Sequence, residues 1–170
     1  DLASANSINI ARLIPQSFYY FAAYAQAKKK GLTAPVVFSV PSGNFGNLSA
    51  GLMAYKMGLP VKAFIASCNE NHPVADYLRS GDYRPVPSVE TISNAMDVGS
   101  PSNFIRMRLL AGDEWSKVRE IIKGYYTDLT EAEASNQTII TRYHELYRIE
   151  QAFRISKSDL QTRPVYHFKE

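Results

Sequence analysis

The residues best suited to chemistry are Gly43, Asn44, Phe45, Gly46 and Asn47, in the stretch Pro41-Ser42-Gly43-Asn44-Phe45-Gly46-Asn47. They stand between an apolar β-branched run, Val36-Val37-Phe38-Ser39-Val40, and a helical stretch that begins at Leu48. A loop that leaves a strand and opens a helix aims successive N–H groups at one spot near the positive helix pole. Glycine at positions 43 and 46 lets an anion approach the main chain with no Cβ in the way. A phosphate held mainly by backbone donors suits such a loop. The spacing is not that of the P-loop, because no Gly-Lys-Ser/Thr follows, nor that of the dinucleotide fingerprint. An ordinary βα turn that uses glycine for its geometry fits the same residues, and spacing alone leaves both readings open.

Asn6, Ser7, Asn9 and Arg12 cluster polar groups at the start of the first helix. That is the composition of an N-terminal cap, and with Arg12 one turn inside it also suits an anionic substrate. The histidines His72, His144 and His167 have no partner at metal-ligand spacing, so the sequence offers no metal site. Cys68 follows an apolar strand and reads as a small buried thiol. Asn94-Ala95-Met96-Asp97 and Ser100-Pro101-Ser102-Asn103 read as loop and helix-start punctuation.

These residues need elements to hold them. Over residues 6–30, Ile10, Leu13, Ile14, Phe18, Phe21, Ala22 and Ala25 recur at helical spacing and predict one buried face. Pro15 predicts either a kink or a turn followed by a second helix. Strands are expected at residues 36–40 and 61–66, with a helix at 48–57 between them. This is a βαβ unit, and it implies a parallel sheet. Further helices are expected at 73–80, at 114–123, and with Pro101 just inside one that runs through Phe104, Met107, Leu110 and Ala111. Residues 131–156 read as one long polar helix, and Arg163-Pro164-Val165-Tyr166-His167 as an extended end.

The whole chain has 170 residues, 45% hydrophobic and 21% charged, which excludes wholesale disorder, a collagen-like fibre and a coiled-coil rod. No apolar run reaches the roughly 20 residues of a membrane helix, and no secretory leader is visible. A lone cysteine rules out an internal disulfide and points to a reducing, cytoplasmic setting. The net charge of +3 is too small to argue for nucleic acid. From Thr130 onward six basic residues meet six acidic ones, so the end of the chain is no polybasic arm. The chain opens at Asp1 rather than methionine, as a piece of a longer protein would.

Read together, several motifs resemble threonine synthase, a pyridoxal-phosphate enzyme of the tryptophan-synthase-β-like, fold type II group. They are Ser4-Ala-Asn-Ser-Ile-Asn9, Val40-Pro-Ser-Gly-Asn-Phe-Gly-Asn-Leu48, Ala50-Gly-Leu-Met-Ala54, Gly58-Leu-Pro-Val-Lys62, Ser93-Asn-Ala-Met-Asp-Val98 and Pro101-Ser-Asn-Phe104. They follow the family's order up to about Tyr126. The resemblance implies an α/β fold, a parallel-sheet βαβ core forming part of a pyridoxal-phosphate-binding domain over residues 1–129. It implies that Gly43, Asn44, Phe45, Gly46 and Asn47 cradle the phosphate of pyridoxal 5'-phosphate. It also implies that Asn6, Ser7, Asn9 and Arg12 lie near the substrate, O-phosphohomoserine, which the family converts with water to threonine and phosphate. The family's Schiff-base lysine sits in a Ser-Phe-Lys-Asp-like motif that this chain does not contain. No catalytic residue is therefore assigned, and the fragment alone is expected to be an inactive member of a PLP-dependent lyase family.

The last forty residues resemble something else. Tyr143, Leu146, Glu150 and Lys157, with Phe153-Arg154, Asp159-Leu160 and Arg163-Pro-Val-Tyr-His167, are similar to the end of a DDE-type insertion-sequence transposase. In that family the residue matching Glu150 helps hold two divalent metals, but its two aspartate partners are absent here. A charged helix face pairing Glu150 with Arg154 accounts for the same residues. Residues 130–170 are thus expected to be a helical extension, not an independent domain. The expected partners are a small-molecule substrate and, through this tail, a second copy of the chain, with no membrane and no nucleic acid.

Overall fold

The computed structural model describes residues 7–91 and 93–125. The chain divides into two units, Asp1–Thr127 and Asp128–Glu170, and the described residues all belong to the first. Asn6 and every expectation for residues 126–170, including Glu150 and the tail helix, lie outside them.

Three parallel strands form one sheet in the order β1 (Val36–Pro41), β2 (Val61–Ser67), β3 (Ile122–Tyr125). Helix α2 (Gly46–Lys56) joins β1 to β2 and completes the expected βαβ unit. Phe38 lies opposite Phe64, and Val40 opposite Ala66. The passage from β2 to β3 carries α3 (Pro73–Ser80), a 3-10 turn (Asn94–Met96), α4 (Phe104–Ala111) and α5 (Trp115–Ile121). Phe64, Leu48, Leu52, Met107, Val118 and Ile122 are buried at the centre. Tyr83 stacks on Phe104 with ring centroids 3.6 Å apart, and Tyr77 meets the same ring edge-on, which ties α3 to α4.

Three expectations change. Of the two alternatives at Pro15, the break into two helices is overturned, since α1 (Ile10–Lys29) continues through it as one helix. Its packed face is Leu13, Ser17 and Tyr20, whereas Ile10, Ile14 and Phe18 are exposed, at 55%, 48% and 60%. Tyr20 decides the choice of face. Its ring packs edge-on against Phe38 and Phe64, and its hydroxyl reaches Asn47, so an amphipathic residue outranks the aliphatic stripe. The helix expected at 114–123 ends at Ile121 and passes directly into β3. Ile122 is the C-cap with extended φ and ψ, and no glycine or proline marks the change. Pro101 does not lie inside α4 but a turn ahead of it, its carbonyl accepting from the Phe104 N–H at 3.1 Å.

Candidate functional site

The loop between β1 and α2 begins with Ser42, whose N–H extends the ladder to the Ser67 carbonyl at 2.8 Å. Its hydroxyl turns back to the Val40 carbonyl at 2.7 Å. Phe45 then takes the left-handed conformation, with φ 60° and ψ 14°. For a residue with a Cβ this costs about 1–2 kcal/mol. Burial of the ring, only 3% exposed, holds it there. A left-handed residue at this point re-aims the peptides around it, the geometry of an anion-binding nest.

The consequence is visible in the donors. Gly43, Phe45 and Gly46 are buried, yet among the described residues no acceptor faces the main-chain N–H of Gly43, Asn44, Phe45, Gly46 or Asn47. The first bond of the helix runs from the Ser49 N–H to the Phe45 carbonyl at 3.0 Å. Buried main-chain donors are nearly always matched by protein, water or ligand. Five adjacent donors at the N-terminus of an 11-residue helix form a site that an anion can complete.

The two glycines serve different ends. A Cβ at position 43 would lie 2.7 Å from the Met96 Cα, so glycine is needed there for the approach of another piece of main chain. At position 46 a Cβ would meet Asn103 Nδ2 at 3.5 Å and Ser7 Cβ at 3.6 Å, ordinary contacts. The side chains of the loop point away from an anion's role. Asn44 donates to the Ser7 hydroxyl, and its carbonyl accepts from the Ser102 N–H at 2.7 Å and the Ser102 hydroxyl at 3.0 Å. The Tyr20 hydroxyl donates to Asn47, with the side-chain and main-chain oxygens both at 2.9 Å. Burial raises the Tyr20 pKa further, so it stays a donor.

Of the four residues at the start of α1, the structure brings Ser7 to the loop through Asn44. Asn9 caps α1, its side chain accepting from the Ala11 N–H at 2.9 Å, and Arg12 lies exposed on the first turn. Asn103 reads from sequence as helix-start punctuation only, and Arg106 was not singled out at all. Asn103 is fully buried, makes no cap bond for α4, and donates to the Ser7 carbonyl at 3.2 Å. Arg106 bonds Asn103 and the Ile8 carbonyl, the latter at 2.9 Å. A buried asparagine and a helix-cap asparagine look alike in sequence, so no local pattern gave it away.

Elsewhere, burial and then the charge of Asp76 push the Cys68 thiol up to about 12, so it is held neutral. His72 pairs with Asp76 at 2.8 Å. Among the described residues no three His, Cys, Asp or Glu side chains converge as metal ligands, and no helix is long and apolar enough to cross a membrane.

This α/β core, with parallel strands joined through a glycine loop, is the fold of the type II pyridoxal-phosphate enzymes. The solved structures it matches are threonine synthases. The enzyme from Escherichia coli superposes with a TM-score of 0.65 at 44% identity, covering 74% of this chain and 29% of that one. The pyridoxal-phosphate-bound threonine synthase from Brucella melitensis gives a TM-score of 0.64 at 32% identity, over 74% of this chain and 32% of that one. Among curated sequences, the threonine synthase of Haemophilus influenzae is 51% identical over 130 residues, 76% of this chain and 28% of the relative. That of Serratia marcescens is 41% identical over 160 residues, 94% of this chain and 37% of the relative. The chain thus spans about a third of the length of the curated relatives it matches. No protein-family model matches it.

Proposed function

We propose that the chain is a segment of a threonine synthase and that its β1–α2 loop holds the phosphate of pyridoxal 5'-phosphate. The observation that carries this is the row of main-chain donors at residues 43–47, buried for the most part and without acceptors among the described residues. A phosphate monoester has the charge and the acceptor oxygens such a row requires. The solved relative that carries pyridoxal phosphate supplies the particular phosphate.

In this reading Gly43, Asn44, Phe45, Gly46 and Asn47 bind through N–H groups, and the left-handed Phe45 keeps those groups aimed before the ligand arrives. Asn44, bonded to Ser7 and Ser102, fixes the start of α1 against the loop. In the same reading Asn6, Ser7, Asn9 and Arg12 are assigned to the substrate, the Arg12 guanidinium being suited to an anionic group of O-phosphohomoserine. Bound pyridoxal phosphate supplies an electron sink for carbanion chemistry. With no Ser-Phe-Lys-Asp-like motif, the chain is assigned binding and orientation and not the covalent anchor. Whole-enzyme conversion of O-phosphohomoserine to threonine belongs to the longer protein in this proposal. Alignments with the Serratia marcescens and Buchnera aphidicola (Acyrthosiphon pisum) enzymes cover 94% of the chain and so run well past residue 130. This supports reading the tail as a continuation of the same protein over the transposase alternative.

Titration of the 170-residue chain with pyridoxal phosphate, with inorganic phosphate as competitor, tests the loop. Binding that phosphate displaces, and that Gly46→Val weakens, is the expected result. Binding that neither treatment changes would remove the loop from the reading.

A further inference from the structure

The segment at residues 86–99 is closed on itself and fastened to the rest of the chain by polar side chains. At its neck, the Val86 N–H donates to the Gly99 carbonyl and the Gly99 N–H to the Ser88 hydroxyl, both at 2.9 Å. A Cβ on Gly99 would lie 2.0 Å from the Val86 carbonyl oxygen, so the closure requires glycine. The Asp97 carboxylate gathers four donors. Its Oδ1 accepts from the Thr91 hydroxyl at 2.7 Å, Asn69 Nδ2 at 2.7 Å and Asn71 Nδ2 at 3.2 Å, and its Oδ2 from the Thr91 N–H at 2.8 Å. Asn69 and Asn71 follow β2, so the carboxylate ties the segment to the end of the central strand. The residue before it, Met96, is the one whose main chain lies against Gly43.

We infer that Asp97 is a positioning residue for the glycine loop: its carboxylate fixes the 3-10 turn, and through the Met96 main chain that turn sets where Gly43 and the donors after it can lie. The inference rests on the reading of that loop as a phosphate site. Two discrete facts support it. The contact at Gly43 is backbone against backbone, which cannot relax by a rotamer change, so a displaced Met96 must move Gly43 or leave a gap. The carboxylate is also kept ionised: bonds from the Thr91 side chain, the Thr91 N–H and Asn69 lower its pKa despite partial desolvation.

The experiment uses the 170-residue chain, isotope-labelled, with Asp97→Ala, Asp97→Asn and, as a distant loss of a carboxylate, Asp113→Asn. Without ligand, Asp97→Ala is expected to move the amide resonances of Gly43, Asn44 and Gly46, while Asp113→Asn leaves them in place. With pyridoxal phosphate as the probe, Asp97→Ala should weaken binding about tenfold, a typical loss when a supporting contact behind a binding group is removed. Asp97→Asn should recover part of it, because its oxygen still accepts from Thr91 while its NH2 group opposes Asn69 and Asn71. If Asp97→Ala does not fold, Thr91→Val removes one donor and gives the same readings in milder form. Shifts confined to residues 69–99 with unchanged probe binding would overturn the inference. Were the unaltered chain to bind neither pyridoxal phosphate nor inorganic phosphate, the phosphate reading would fail, and the amide shifts at 43–46 would still decide the positioning role.

Discussion

Two loops in this chain occupy equivalent places, and their side chains finish them differently. Each leaves the C-terminal end of a parallel strand and opens a helix: residues 42–45 between β1 and α2, and residues 68–72 between β2 and α3. Both are places where α/β folds bind ligands. The second loop is closed by its side chains, although among the described residues the N–H groups of Cys68, Asn69 and Glu70 also face no acceptor. The Asn71 N–H is matched by the Asn69 side chain at 3.0 Å, Asn71 exchanges bonds with the Val89 N–H and carbonyl at 2.7 and 2.8 Å, and α3 starts with Pro73, which has no N–H to offer. In the first loop the side chains of Ser42, Asn44 and Asn47 bond elsewhere, and the main-chain donors from Gly43 onward face no acceptor among the described residues. Topology provides the place. The glycines and left-handed Phe45 of the first loop, against the side-chain bonds that fill the second, decide which place can take an anion.

The closed loop is where a single substitution should cost most. Asn71 is 3% exposed, and truncation leaves the Val89 N–H and carbonyl without partners and weakens the hold on Asp97. Val89 is itself half exposed, so the cost is that of the lost bonds, about 0.5–1.5 kcal/mol each, and Asn71→Ala should lower stability by roughly 2–3 kcal/mol in urea unfolding. An equal loss from Asn44→Ala, in the open loop, would erase the contrast. Next in size is Gly43→Ala. The added methyl at 2.7 Å from the Met96 Cα has no side chain to push aside, and overpacking of this kind costs about 1–3 kcal/mol. The expected signature is joint: a lower unfolding midpoint together with weaker pyridoxal phosphate binding.

How much of this was legible in the sequence follows from the range of the interactions. Strands and helices from 36 to 80 were legible because apolar runs of strand length alternate with glycine and proline stops, as at Gly58, Pro60, Pro73 and Gly81. The glycine loop was legible as a turn that could hold an anion, since strand, glycines and helix are adjacent in the chain. β3 was hidden because Ile121 and Ile122 suit either a helix or a strand, and only pairing with β2 decides between them. The buried face of α1 was misjudged because Tyr20 competes with aliphatic residues through a hydroxyl partner 27 positions away. Asp97 and Asn103 act across still longer separations, on Asn69 and Ser7, which no local pattern encodes.

A third prediction concerns acid. The folded pKa of Asp97 is lowered, chiefly by the Thr91 hydroxyl, so the group contributes stability that is fully present above its unfolded value near 3.9. That contribution is lost as pH falls through the lower folded value, because the unfolded chain then binds the proton first. The unfolding midpoint should therefore fall below about pH 4, and Asp97→Asn should flatten that decline. A decline of the same steepness in Asp97→Asn would assign the acid limb to other carboxylates.

The smallest expected effect bears most directly on the open loop. A ligand that binds only the folded chain stabilises it by RT ln(1 + [L]/Kd), about 1.4 kcal/mol at ten times Kd. For a domain of this size that is a rise of roughly 3–6 °C in the thermal midpoint. Inorganic phosphate should produce it, and chloride at matched ionic strength should produce much less, since phosphate brings more charge and several acceptor oxygens to the converging N–H groups. The comparison sharpens when the two loops are read separately by amide exchange. Phosphate should slow exchange at Gly43, Asn44 and Gly46, whose N–H groups face no acceptor among the described residues, and leave Asn71 unchanged, since Asn69 already holds its N–H. Gly46→Val should abolish both the thermal rise and the local protection. A rise that survives in Gly46→Val would place the anion elsewhere on the chain, and the β1–α2 loop would then be a turn whose donors are met by water.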